Sequence, residues 1–419
     1  MSSMLKPPVI ALLLVFLIIG LGIGYVAHPT PPPPAPPTTM LPSSIPIGVI
    51  NALTGDFSSY GLRAQAAAKV AQTDINAYVA TLGIPTNFTF YYEDYQTQPS
   101  VALTVTQDLY ARGVKVIIGG MTSGAMKAID SYVDTNHIVV IDGTSDAARS
   151  DVAPPGDFEI RVIPAAEAEG AAIAAAIKSE GYMNVAMISS EDTYSLSIRD
   201  AFKAAWSAAG GNLVTDITYA YPTTTDFTVQ LNTLESQVTP LLSANKTVAI
   251  FANMWEDVAT MLQQASSRNS PLLSLTWFGP DTMAQDTVIL KDAGPIASRV
   301  KLISVLFASP VTARRTELNA ALNASMGQLP DIYALATYDA AWIAALSILS
   351  AGQYNPDIIK AAVPTIAAAY WGATGNTALN SDGDRITMDM EFWAVVNDQW
   401  QRVATYSSVD QSVTWLTPA

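Results

Sequence analysis

The pattern of apolar and polar positions divides the chain into three zones. Val9 to Ala27 is a nearly unbroken apolar run without charge. At 1.5 Å per residue it reaches roughly 28 Å, about the hydrocarbon core of a bilayer. From Pro29 to Pro46 proline dominates, interspersed with Thr and Ser. Such a composition holds the backbone extended and makes a semi-rigid spacer of roughly 50 Å. From Ile45 onward, short β-branched runs alternate with longer Ala-rich runs at helical spacing.

That last zone predicts strands at Ile45 to Asn51, Phe88 to Tyr92, Val114 to Ile118 and Ile138 to Ile141. Helices are expected over Leu62 to Val79 and Ser100 to Ala111, and from about Ser123. The rhythm resumes with helices Ala165 to Lys178, Ser195 to Ala209, Phe227 to Leu241 and Glu256 to Ala265. Between them fall strands Val185 to Ser189, Leu213 to Tyr219, Val248 to Ala252 and Leu275 to Phe278. Glu391 to Val396 and Val403 to Tyr406 form a hairpin around Asn397-Asp398. Strands that are apolar throughout belong to parallel sheets covered on both faces. The βαβ rhythm therefore predicts an α/β fold with right-handed crossovers. A single sheet would need about a dozen strands, so two doubly wound, Rossmann-like lobes joined by crossing strands fit better, with Phe158 to Val162 as one crossing. The expected division is membrane segment 1–28, Pro-rich stalk 29–44, lobe 1 over 45–162 and 286–388, and lobe 2 over 163–285 and 389–419.

Charge changes the picture at both ends. Lys6 is the only charge before the apolar run, so the positive-inside rule places the N-terminus in the cytoplasm and the rest outside. A single-pass anchor at the cell membrane, with the folded part extracellular or periplasmic, is one reading. A cleaved signal peptide is the other, although Tyr25-Val26-Ala27-His28-Pro29 is a poor cleavage site. Sequons at Asn87, Asn245 and Asn323 suit an outside location. The formal net charge of −15 repels phosphate backbones and argues against nucleic acid. The absence of cysteine and the presence of only His28 and His137 leave almost no material for thiolate or His-based metal sites or a Ser-His triad. No cofactor, metal site or catalytic residue is expected. Asn380-Ser381-Asp382-Gly383-Asp384 looks like part of a calcium loop but lacks its glutamate, and reads as a turn.

In open α/β sheets, ligands bind beyond the C-terminal ends of the strands, where helix N-termini point outward. The loops there carry hydroxyls, aromatics and acids: Leu53 to Gly61, Gly119 to Gly124, Asp142 to Asp146, Ser190 to Tyr194, Asn253 to Glu256 and Gly279 to Asp281. Ser, Thr and Asp are also ordinary helix caps, but as a converging set they suit a small zwitterion.

On these segments the chain resembles the Leu/Ile/Val-binding protein family, the type I periplasmic-binding-protein fold of ABC importers, from Ile45 to the end. The carrying segments are Ile47-Gly48-Val49, Leu53-Thr54-Gly55, Tyr60-Gly61, Tyr92-Glu93-Asp94, Val114 to Gly120 and Phe158-Glu159-Ile160-Arg161. Asp192-Thr193-Tyr194, Gly279-Pro280-Asp281, Ala336 to Ala340 and Asp382-Gly383-Asp384 continue the match. The resemblance implies that Ser123 holds a ligand carboxylate, the Thr144 carbonyl and Asp281 take a ligand ammonium, and Tyr60, Tyr194 and Trp255 form aromatic walls. Asp146 stands where amino-acid binders of this family usually have Thr, and would repel a carboxylate. Ala166 stands where they often have Asp, with Glu167 adjacent. The ligand implied is an amino acid or a related amine or amide, the partner an ABC permease, and a monomer is expected. A sensing module of the same fold is the alternative, weakened by the short segment before Val9. A hydrolase is a third, with no nucleophile elbow or His base to support it.

Overall fold

The computed structural model describes residues 41–327 and 329–416. The expected membrane segment 1–28 and nearly all of the expected stalk lie outside the described residues. All three sequon asparagines are exposed.

Strands β1 (Ser44–Asn51), β2 (Asn87–Asp94), β3 (Val116–Gly120), β4 (Val139–Asp142) and β5 (Glu159–Arg161) build a five-stranded parallel sheet. Its order is β2-β1-β3-β4-β5. Neighbouring residues serve opposite faces. Val49, Ile118 and Ile141 pack with helix α1 (Ser58–Thr81). Ile50, Ile117 and Val140 pack with α2 (Pro99–Ala111) and α3 (Ser123–Thr135). This two-sided burial is why these strands read as unbroken apolar runs. A short helix, α4 (Arg149–Val152), follows β4.

After β5 the chain crosses to a second lobe, as expected for the Phe158 to Val162 segment. Helices α5 (Ala166–Ser179), α6 (Thr193–Ala208), α7 (Thr228–Ser243), α8 (Val258–Ser267) and α9 (Thr287–Arg299) alternate there with β6 (Asn184–Ser190), β7 (Asn212–Tyr219), β8 (Val248–Asn253), β9 (Trp277–Gly279) and β10 (Ile303–Phe307). Residues 286–307 were expected in lobe 1, and the structure corrects this. β10 pairs in parallel with β9 and belongs to the second sheet. Its run Ile-Ser-Val-Leu-Phe is a further apolar strand, so the chain returns to lobe 1 only after Phe307.

Lobe 1 is completed by α10 (Ala313–Met326), α11 (Ile332–Ala351), α12 (Pro356–Ala369) and the two-residue strands β11 (Trp371–Gly372) and β12 (Gly375–Asn376). Helix α11 is long and apolar enough to span a membrane, but 89% of its apolar window is buried inside the protein. It packs on α1 and the sheet as a core helix, which explains why it is apolar all round. The last strands, β13 (Met390–Val396), β14 (Gln399–Ser407) and β15 (Ser412–Trp415), add antiparallel to β10, giving an eight-stranded sheet β15-β14-β13-β10-β9-β8-β6-β7. Asn397 and Asp398 take φ of 50° and 60°, as a tight primed hairpin turn requires.

The crossing segments pair with each other. Arg161 N donates to Gly383 O at 2.9 Å, and Arg385 N donates to Arg161 O at 2.9 Å. Asn380 Oδ1 accepts from the amides of Asp382 (2.9 Å) and Asp384 (3.0 Å), so the calcium-like segment is a turn as read. Its Asp384 carboxylate takes a two-pronged bond from Arg161, at 2.6 and 2.7 Å. Both side chains are buried at the lobe crossing.

Candidate functional site

The cleft lies where loops at the strand C-termini of both sheets face each other. In lobe 1 the β1–α1 loop is fastened by Asp94, which accepts from the amides of Leu53 (2.9 Å) and Thr54 (3.2 Å). A Cβ on Gly61 would lie 1.9 Å from Ala52 O, so only glycine lets α1 start against the end of β1 and set Tyr60 at the cavity. The buried Asp142 ties the next two loops together, accepting from the amides of Met121 (2.9 Å), Thr144 (2.8 Å) and Ser145 (2.6 Å). Thr122 caps α3. Ser123 therefore sits in the first helical turn, whose amides have no intrahelical acceptor. Its Oγ accepts from Ser145 Oγ (3.2 Å) and Ala147 N (3.3 Å), leaving its own proton to donate.

In lobe 2, Asp192 caps α6 through Ser195 N (3.0 Å) and accepts from Trp255 Nε1 (2.9 Å), which fixes the indole. The two lobes enclose a cavity of about 310 Å³. Tyr60, Ser123, Thr144, Asp146, Tyr194, Trp255 and Asp281 all line it, so the structure brings together every site residue proposed from the sequence. Thr144 Oγ1 donates to Met121 O at 2.6 Å, so its hydroxyl is spent on the loop. Aromatic rings meet across the cleft. Phe57 of lobe 1 lies 4.5 Å from Trp255 of lobe 2, which also packs on Tyr194 (5.1 Å) and Tyr221 (5.9 Å).

The electrostatics are dominated by three buried acids. Carboxylate oxygens of Asp146, Glu169 and Asp281 lie within 4.8 Å of one another. Asp146 comes from lobe 1, Glu169 from α5 and Asp281 from the end of β9. Asp281 accepts from Tyr194 Oη at 2.6 Å and from Tyr333 Oη, and its own amide donates to Glu169 Oε1 at 2.9 Å. Asp146 Oδ2 and Glu169 Oε2 are buried without a partner. Burial, then repulsion from Asp281, pushes the Asp146 and Glu169 carboxyls well above their usual range. Burial also raises Asp281, against the hydroxyls of Tyr194 and Tyr333, which favour its charged form. The neighbouring cation, Arg161, is committed to Asp384. Such a cluster must hold protons or meet a cation. An ammonium or a metal ion would meet that need.

Several residues here were missed in the sequence. Glu167, flagged beside Ala166, is exposed, and Glu169 is the acid that turns inward. The signal was available, because residues three apart share a helix face. Tyr333 stands in the first turn of α11, behind the N-cap Asp331, and reaches across the cleft to Asp281. Phe57 and Tyr221 also line the cavity.

Comparison with known proteins agrees with the two-lobed fold. A family model described as periplasmic binding protein matches residues 44–399. An uncharacterized protein of Methanocaldococcus jannaschii is 29% identical over 393 residues, covering 88% of this chain and 91% of its own. A leucine binding protein from Thermotoga maritima superposes with a TM-score of 0.74 at 19% identity, over 87% of this chain and 99% of that one. A solute binding protein of an ABC transporter from R. palustris, in complex with benzoate, superposes with a TM-score of 0.67 at 17% identity, over 86% and 95%.

Proposed function

The chain belongs to the periplasmic binding protein family, and from that premise we propose that it is the extracytoplasmic solute-binding protein of an ABC importer, closing its lobes on a small ammonium-bearing solute. The observation that carries the ligand class is the meeting of Asp146, Glu169 and Asp281, drawn from both lobes, with Asp146 and Asp281 lining the cavity, Glu169 buried beside them, and oxygens of Asp146 and Glu169 unpartnered. A ligand ammonium would pair with Asp281 while aromatic walls cover its carbon skeleton. An ammonium suits the cluster better than a metal ion, because two tyrosine hydroxyls already point protons at Asp281. The Thermotoga and R. palustris proteins are described with leucine and benzoate, both carboxylates. Here a carboxylate would have to settle at Ser123 and the start of α3, clear of Asp146. An amine or amide lacking a carboxylate avoids that repulsion altogether.

The test is a calorimetric screen of amino acids, amines and amides against the full chain in detergent, repeated with Asp146→Thr. Binding of amines or amides that weakens in Asp146→Thr supports a carboxylate-free ligand. Binding of amino acids that tightens in Asp146→Thr keeps the solute-binding reading and moves the ligand to the amino-acid class. Binding of neither class in the wild type would overturn the ammonium assignment.

A further inference from the structure

We propose that Asp130, Asp157 and Glu159 form a calcium site in lobe 1, separate from the ligand cavity. Asp130 lies on α3, Asp157 in the loop before β5, and Glu159 opens β5. None of the three lines the cleft. One carboxylate oxygen from each lies within 4.8 Å of the others. Glu159 is 0% exposed and Asp157 7% exposed. Asp130 Oδ1, Asp157 Oδ2 and both oxygens of Glu159 are buried with no hydrogen-bond partner. A glutamate wholly inside the protein with neither oxygen satisfied is costly unless something fills the space between the acids.

The local cations do not fill it. Arg149 donates to Asp157 Oδ1 (2.6 Å) and to the Glu159 carbonyl (2.7 Å), and also reaches Asp384 at 3.3 Å. It holds Asp157 by one oxygen and leaves the other free. Lys360 Nζ bonds Gly156 O at 2.6 Å and lies 4.1 Å over the Phe158 ring. Three carboxylates thus share one arginine that is divided among three acceptors.

The donor set is oxygen alone, which selects a hard cation. Calcium binds oxygens at about 2.3–2.6 Å, so ligands on opposite sides of it stand roughly 4.6–5.2 Å apart, wide enough for this cluster. It also accepts a carboxylate by both oxygens, as Glu159 offers. Magnesium holds its ligands closer and keeps several waters, which suits a buried pocket poorly. The ion would clamp α3, which begins at the cleft residue Ser123, to β5, which leads into the lobe crossing.

The test is titration of calcium into the chelator-treated full chain in detergent, followed by calorimetry and thermal melting. One ion per chain should bind, raising Tm by several degrees at calcium a hundredfold above Kd. Magnesium should compete weakly. Asp130→Asn changes a half-buried acid, should fold normally, and should lower calcium affinity at least tenfold. Glu159→Gln should abolish the response. No calcium-dependent change in the wild type would overturn the proposal, leaving a cluster that holds protons instead. An undiminished response in both variants, lost instead in Asp281→Asn, would also overturn it by placing the ion in the cleft.

Discussion

Replacing Asp281 with Asn removes one negative charge from the centre of the cleft while keeping the shape of the side chain. Asn still offers an oxygen to one of the tyrosine hydroxyls that now donate to Asp281. Breaking a charge-assisted pair in a closed cleft costs about 2–5 kcal/mol. That is at least roughly 30-fold in affinity, at about 1.4 kcal/mol per decade. The crowding of the acids moderates the loss. Repulsion from Asp281 helps keep the Asp146 and Glu169 carboxyls protonated, so without it they ionise more readily and retain part of the attraction. The expected loss is therefore nearer the lower limit, with fewer protons released per ligand bound. The ligand-free protein should melt at or above the wild-type temperature, because the substitution relieves repulsion and opens no cavity. Calorimetry with the tightest ligand of the screen, alongside thermal melts without ligand, reads both quantities. Wild-type affinity in the variant would refute the pocket assignment. A collapse of ligand-free stability would show that Asp281 serves the fold instead.

Other outcomes follow from the same geometry. Asp146 and Glu169 have carboxyls raised in the folded state, so the stability they contribute is present below about pH 4 and is lost as pH rises through their folded values. Denaturant titrations of the ligand-free protein should show that decline. Binding an ammonium should expel protons, so affinity should rise with pH over the same window, as calorimetry in buffers of different ionisation heat will detect. Arg161→Ala leaves the buried Asp384 with only the longer 3.3 Å contact to Arg149 at the crossing, which should cost about 3 kcal/mol in urea unfolding; a loss below about 1 kcal/mol would contradict the role given to the Arg161–Asp384 pair. Protease added to intact cells should release a soluble fragment of nearly full length, and recovery of the folded part only from the cytoplasm would rule out the expected topology.

Much of the architecture is written in local pattern. Val114 to Ile118 and Ile138 to Ile141 read as strands because both faces are buried, with the observed strands shifted to Val116–Gly120 and Val139–Asp142, and Asn397-Asp398 reads as a hairpin turn because those residues accept positive φ. The loops at the strand ends were legible too, since the βα rule places ligands there whatever their sequence. Strand Ile303–Phe307 does not stand out in the sequence, because so short a run, four apolar residues with Ser304 among them, looks alike in a strand and in a buried helix until pairing with β9 settles the matter. Tertiary structure alone decided which acids meet. Glu169 and Asp281 meet through the packing of lobe 2, and Asp146 joins them only where the two lobes face each other. Asp157 and Glu159 are neighbours in the chain, but Asp130 joins them only through the packing of α3 against β5 inside lobe 1. Local propensity can specify a turn or a helix face. The charge felt by a buried carboxylate depends on every group the fold packs around it, and that is a property of the folded chain rather than of any segment.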